Sequence, residues 1–228
     1  LMASFDLLVT GGTLPDGRVL DIGITGDRVA ALDDLSGSTA GEVIEAAGDL
    51  VSPPFVDPHF HLDATLSYGT PRINASGTLL EGIALWGELK QTVTVDEMVE
   101  RALAYCDWAV SLGLLTIRSH VDVCDDQLRA VEAMLQVRET VKPYLDLQLV
   151  AFPQDGLYRD PTAHQNLIRA LDMGVDVVGG IPHFERTRAA GDASVTELCE
   201  IAAKRGLMVD MHCDESDDPL SRHIETLA

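Results

Sequence analysis

From residue 51 onward the chain alternates short apolar runs with helix-type stretches, and this alternation restricts its fold more than any other feature. Strands are expected over 51–61, 114–123, 145–152, 175–181 and 206–213, with helices over 78–91, 94–112, 126–141, 162–173 and 194–205. The strand candidates are near-continuous apolar runs, such as Val175-Asp176-Val177-Val178-Gly179. Parallel strands covered by helices on both faces have that pattern. Thr94-Val95-Asp96-Glu97 reads as a capped helix start and Gly113 as a stop. Alternating βα units build either a barrel or an open doubly wound sheet. Polar residues recur at the strand ends: His59/His61, His120/Asp122, Gln154, His183/Glu185 and His212/Glu215. A site drawn from many strand ends is the barrel pattern, whereas an open sheet gathers its site near one switch point. No GxGxxG or GxxxxGK[ST] phosphate loop is present. The expected class is α/β, a (β/α)8 TIM-type barrel of which about five βα units are legible. A barrel needs eight strands to close, so the chain reads as the N-terminal portion of a longer protein, or as one half of a barrel completed by a separate chain. A last helix is expected to begin near Asp218, and both outer strands are expected to present apolar edges.

Residues 5–50 read differently. Phe5-Asp6-Leu7-Leu8-Val9, Asp21-Ile22-Gly23-Ile24 and Arg28-Val29-Ala30-Ala31-Leu32 alternate with turn signals at Gly11-Gly12, Asp16-Gly17 and Gly26-Asp27. That pattern predicts a small antiparallel, β-sandwich-like unit over residues 1–50, ahead of the barrel portion at 51–228.

The histidines carry the chemistry. In a strand, residues i and i+2 project to the same side, so His59 and His61 share one face at one strand end. His212 offers a third imidazole at another strand end. Three imidazoles with an open coordination position make a catalytic divalent-metal site. Glu215, three residues after His212, is placed to move protons beside it. Taken singly, these residues have plainer readings. Glu215 could cap a helix beginning near Asp218, Gln154 could be a turn residue after Phe152-Pro153, and Cys213 reads as packing. His120 and His183 fit either a group supporting the ligands or a core histidine bonded to backbone. His164 and His223 read as surface residues.

The formal charge of −21 repels nucleic-acid phosphates and anionic membrane surfaces. No apolar run of 18 residues or more appears, and the first six residues show no leader pattern. The four cysteines form no CxxC pair, which fits reduced thiols and a cytoplasmic location.

The motifs together are similar to the amidohydrolase superfamily and, within it, to the bacterial cytosine deaminases. The resemblance runs from about Asp49 to Ala228. It rests on Pro53-Pro54-Phe55-Val56-Asp57-Pro58-His59-Phe60-His61-Leu62-Asp63, Ser76-Gly77-Thr78-Leu79-Leu80-Glu81-Gly82-Ile83, Arg118-Ser119-His120-Val121-Asp122-Val123, Asp146-Leu147-Gln148-Leu149-Val150-Ala151-Phe152-Pro153-Gln154-Asp155-Gly156, Gly180-Ile181-Pro182-His183-Phe184-Glu185 and His212-Cys213-Asp214-Glu215. The resemblance implies His59, His61 and His212 as metal ligands and Glu215 as the proton-shuttling acid. It implies that Gln154 hydrogen-bonds a pyrimidine ring and that the Leu79 backbone touches it. It further implies one divalent ion, Fe2+ or Zn2+, a small-molecule ring substrate, a homo-oligomer for the complete protein, and an N-terminal β unit completed by C-terminal strands. A fourth His and an Asp of the family pattern have no counterpart in these 228 residues.

The leading expectation is a metal-dependent hydrolytic deaminase of cytosine or a close analogue. A related amidohydrolase acting on isocytosine, a triazine amine or another cyclic amidine is the alternative, and an inactive metal-binding fragment is a third. This is not the HxE/PCxxC type of zinc deaminase, since no PCxxC motif occurs. Phe152, Phe184 and Leu79 are expected to line the pocket and raise the Glu215 pKa, and the loop 64–74 to form part of its wall.

Overall fold

A computed structural model describes residues 4–228. The leader expectation rests in part on Leu1-Met2-Ala3, which lie outside the described residues. No helix among the described residues is long and apolar enough to cross a membrane. The chain divides into two compact units, Leu1–Pro54 and Phe55–Ala228.

The first unit is a four-stranded sheet in the order β3-β2-β1-β4. Its strands are β1 (Ser4–Thr13), β2 (Val19–Thr25), β3 (Arg28–Asp33) and β4 (Thr39–Glu45). The turns at Asp16-Gly17 and Gly26-Asp27 join antiparallel neighbours, as the sequence suggests. Gly11-Gly12 is not a turn. It lies inside β1, where the register slips between Val9 and Gly12. Gly11 takes φ +64° there and its N–H donates to the Asp21 carboxylate at 2.8 Å. This is a bulge, a role glycine fills because it lacks Cβ. β4 escaped the sequence reading and pairs parallel with β1. Its seven residues hold one short apolar pair, Val43-Ile44, and six are exposed, so they carry little periodic signal.

The second unit carries five parallel strands in sequential order: β5 (Phe55–Phe60), β6 (Leu114–Asp122), β7 (Asp146–Phe152), β8 (Val177–Gly180) and β9 (Met208–Met211). The sheet curls into part of a barrel. Five helices accompany the strands: α1 (Leu79–Leu89), α2 (Val95–Ser111), α3 (Arg129–Val141), α4 (Ala163–Asp172) and α5 (Arg188–Arg205). β5 starts four residues later than expected because Pro53 and Pro54 have no N–H to give a ladder. α2 opens with the capping box foreseen at Thr94 and Glu97, and Gly113 follows its end at φ +83°. The core fills the space between strands and helices, with Leu62, Met98, Ile117, Met134, Leu149 and Leu198 almost wholly buried.

Two helix boundaries differ most from expectation. α5 starts at Arg188 rather than 194, with the Thr187 hydroxyl accepting the Ala190 N–H. Gly191 obscured that first turn, since glycine weakens a helical reading. The last helix, α6, covers only Ile224–Leu227 and does not start near Asp218. Residues 214–223 instead form a loop closed by Asp214. His223, expected at the surface, is buried at 4% exposure inside that arrangement.

The outer strands behave as the pattern foretold. β8 is buried throughout, whereas Phe55 and Val56 on β5 and Met208 on β9 are 63%, 61% and 52% exposed. Unpaired apolar edges template association. Residues 1–228 expressed alone should therefore self-associate or melt without a sharp transition, as read by size-exclusion chromatography and thermal unfolding. A soluble monomer with one cooperative transition would contradict this.

Candidate active site

β5 and β9 are opposite edges of the sheet. Laid flat, strands four positions apart would be separated by about 19 Å. Yet Nε2 of His61, one residue past β5, lies 3.3 Å from Nε2 of His212, one residue past β9. The curl of the sheet closes that gap. His59 completes the trio, its ring centroid 5.5 Å from His61 and 4.5 Å from His212. One ligand atom from each of the three lies within 4.8 Å of the others.

The surroundings keep these rings neutral. Burial, reinforced by the neighbouring His120, pushes His61 and His212 down to about 3. Burial also lowers His59. Neutral imidazoles expose the lone pairs that metals bind. The spacing fits as well, since two ligands at 2.0–2.1 Å with a tetrahedral angle between them sit roughly 3.3–3.4 Å apart. Nδ1 of His212 is buried without a protein partner. Phe152 floors the cluster, with centroids 4.3 Å from His212 and 5.7 Å from His61. The donor set therefore suits a divalent cation.

His120 and His183 take different positions. His120 is fully buried and reaches the trio, its centroid 4.5 Å from His59 and 4.7 Å from His212. Its Nε2 pairs with the Asp210 carboxylate at 3.1 Å. The Asp210 carboxylate also takes Arg118 at 2.7 Å. The hydrogen bond to His120, then Arg118, hold the Asp210 carboxyl below the usual range against the opposing effect of burial. His183 stands farther out and bonds backbone, its Nδ1 lying 2.9 Å from the His212 carbonyl oxygen.

The trio opens into a cavity of about 340 Å3 at the C-terminal ends of the strands. Leu79, Gln154 and Glu215 line it, so the six residues named first from the sequence meet in one place. Glu215 is exposed. Phe152 and Phe184 are both absent from the lining: Phe152 is buried beneath the histidines, and Phe184 packs under the Arg159 guanidinium, whose carbon lies 4.4 Å from its ring centre. The loop 64–74 contributes only Ala64; Ser67–Thr70, Arg72 and Asn74 border a smaller neighbouring cavity of about 180 Å3.

The apolar wall comes from a helix. Leu79, Gly82, Ile83 and Trp86 line the cavity at i, i+3, i+4 and i+7 of α1, which is one helical face. Sequence reasoning missed Trp86, although that spacing was the signal that could have found it. It also left Asp63 without a role. The Asp63 carboxyl lines the cavity, is 2% exposed, and accepts the Asp122 N–H at 2.9 Å. Burial pushes it up to about 7, with the Asp122 hydrogen bond working against that rise. A separate cavity of about 440 Å3, bounded by Val56, Arg118, Leu147 and Asp176, opens at the other end of the strands and carries none of the histidines.

Residues 42–228 match the model of the amidohydrolase family, and the chain belongs to that family. It is 33% identical over 215 residues to the N-isopropylammelide isopropyl amidohydrolase of Pseudomonas sp. (strain ADP), an alignment covering 91% of this chain and 53% of that protein. The structure is similar to 5-methylcytosine deaminase from Klebsiella pneumoniae, with TM-score 0.91, 40% identity, and coverage of 96% of this chain and 54% of that one. It is also similar to N-isopropylammelide isopropylaminohydrolase from Burkholderia multivorans ATCC 17616, with TM-score 0.81, 29% identity, and coverage of 97% and 56%. The chain thus spans about half the length of these relatives.

In the full-length protein, His61→Ala and His212→Ala should each lower the divalent metal retained after dialysis against metal-free buffer, by elemental analysis. Unchanged metal content in either variant would remove that residue from the ligand set.

Proposed function

We propose that the complete protein is a metal-dependent hydrolase that deaminates cytosine or a close cyclic amidine, releasing ammonia. The observation that carries this reading is the meeting of His59, His61, His212, Glu215, Gln154 and Leu79 on one cavity. Similarity to a 5-methylcytosine deaminase at 40% identity supports the pyrimidine class.

His59, His61 and His212 would hold the cation. When bound, it supplies Lewis acidity, because such ions lower the pKa of water from 15.7 to about 7. The metal is Fe2+ or Zn2+ on the family resemblance, and imidazole donors suit both. Addition of hydroxide to the amine-bearing ring carbon loads charge onto the adjacent ring nitrogen. Glu215, at the cavity wall, takes up the proton that water sheds on becoming hydroxide and gives it to that nitrogen as addition proceeds. It then takes the proton of the added hydroxyl and passes it to the departing amine, which leaves as ammonia. Gln154 orients the ring, because one side-chain amide pairs with adjacent carbonyl and N–H edges. Leu79, Ile83 and Trp86 exclude water and offer a flat apolar wall to a planar ring.

A triazine amine is the second reading. It is favoured by the 33% identity to N-isopropylammelide isopropyl amidohydrolase across 91% of the chain. Ammonia release from a panel of pyrimidines, against amine release from N-alkyl triazines, separates the two.

Glu215→Gln in the full-length protein should retain metal and fold while lowering kcat by at least about 10²-fold. Full retained activity would exclude Glu215 as the proton carrier. Gln154→Ala should weaken use of the pyrimidine by about 1–3 kcal/mol in kcat/KM. Unchanged constants for every pyrimidine would turn the assignment toward another ring.

A further inference from the structure

The backbone beyond β9 makes a turn that the functional assignment leaves unused. Asp214 sits in the left-handed region at φ +67°, an uncommon conformation for a residue with a side chain, though one that Asp tolerates better than most. Its carboxylate faces forward along the chain. One oxygen accepts the Ser221 hydroxyl at 2.7 Å and the His223 N–H at 3.0 Å; the other accepts the Ile224 N–H at 2.9 Å. Residues 215–222 are thereby closed into a loop, and Glu215 is its first member.

The far end of the loop is anchored in turn. The His223 ring is buried, and its Nδ1 lies 2.9 Å from the Asp192 carboxylate on α5. Asp192 also accepts the Thr226 hydroxyl at 2.9 Å. α5 can come this close only because residue 191 is glycine: a Cβ there would stand 2.4 Å from Cε1 of His223. Arg188, one turn earlier, donates to the Leu220 carbonyl at 3.2 Å. Both ends of the loop are therefore tied to fixed elements, β9 at one side and α5 at the other.

We propose that Asp214 is a positioning residue whose carboxylate, anchored through His223 and Asp192, holds Glu215 against the cavity in a fixed place. The proposal rests on the reading of Glu215 as proton carrier and adds how that carboxyl is aimed. Glu215 is exposed and starts a loop that has no regular secondary structure. Without the clasp its carboxyl would sample many positions, and misplacement of about 1 Å can cost roughly 10²-fold in rate.

The test uses the full-length, metal-loaded protein. Asp214→Gly removes the carboxylate while suiting a positive φ, so the turn itself is not strained. Asp214→Asn keeps one acceptor oxygen on a residue that also tolerates this conformation. For Asp214→Gly we expect kcat to fall about 10²-fold, with metal content unchanged and KM within about threefold. Backbone amides of 215–222 should exchange hydrogen at least about tenfold faster. Asp214→Asn should recover most of kcat, and His223→Ala should reproduce the Asp214→Gly pattern in milder form. Unchanged exchange in Asp214→Gly overturns the clasp. Faster exchange with full kcat overturns the positioning role, as does a loss of rate explained by lost metal. If the parent protein releases ammonia from no ring in the panel, the deaminase reading fails, and the exchange measurement still decides the clasp.

Discussion

The Asp210 carboxylate spans the concave face of the barrel portion, and the site depends on it. Asp210 lies on β9, while its partners Arg118 and His120 lie on β6. Strands three positions apart would be about 14 Å apart in a flat sheet. A contact of 2.7 Å across that span is compatible only with strong curl, and Arg118 also takes the Gln148 side chain on β7 between them. The charge pair is partly buried, so its attraction is poorly screened, while its desolvation is offset by three hydrogen bonds. The curl is what brings the two sheet edges together above it. The histidine trio is thus a consequence of tertiary curvature as much as of its own residues.

A second polar hub fixes the wall opposite the histidines. The Asp122 carboxylate accepts the Trp86 indole N–H at 2.8 Å, the Lys90 ammonium at 2.9 Å and the Cys124 N–H at 2.7 Å. Its own N–H donates to Asp63, and Lys90 continues to Asp155. The ends of β5, β6 and β7 are joined through this hub to α1. Lys90 is buried, and the two carboxylates outweigh that burial and hold its ammonium charged. Removing one partner of such a pair leaves a charge without compensation, at a cost of about 3–5 kcal/mol.

Much of this was legible in the sequence because the signals were periodic or local. Near-continuous apolar runs announced parallel strands, and His59 with His61 announced a shared face. Convergence with His212 across 153 residues came from strand-end logic plus the family resemblance, not from local pattern. The misses have physical causes. β4 is short and exposed, so its pairing with β1 leaves no alternation to read. Gly11-Gly12 carries the composition of a turn but serves a bulge. The polarity of His223 suggested solvent, yet burial was made affordable by Asp192 and by the missing Cβ at Gly191. Trp86 shares a helical face with Leu79 and Ile83, a spacing that marks an apolar stripe but does not say whether the stripe meets the core or a cavity.

The cavity is built from two structurally separate parts. The nitrogen donors stand on strand ends, while Leu79, Gly82, Ile83 and Trp86 belong to a single helix. That helix is tethered at its C-terminal end, by Trp86 and Lys90, and its exposed first turn carries Leu79 and Leu80. Leu79 in that first turn faces the cavity yet bears little of the core. The architecture therefore separates two evolutionary tasks: drift in the opening turn of α1 can reshape the cavity, while the histidine-bearing end of the barrel portion stays under its own constraint.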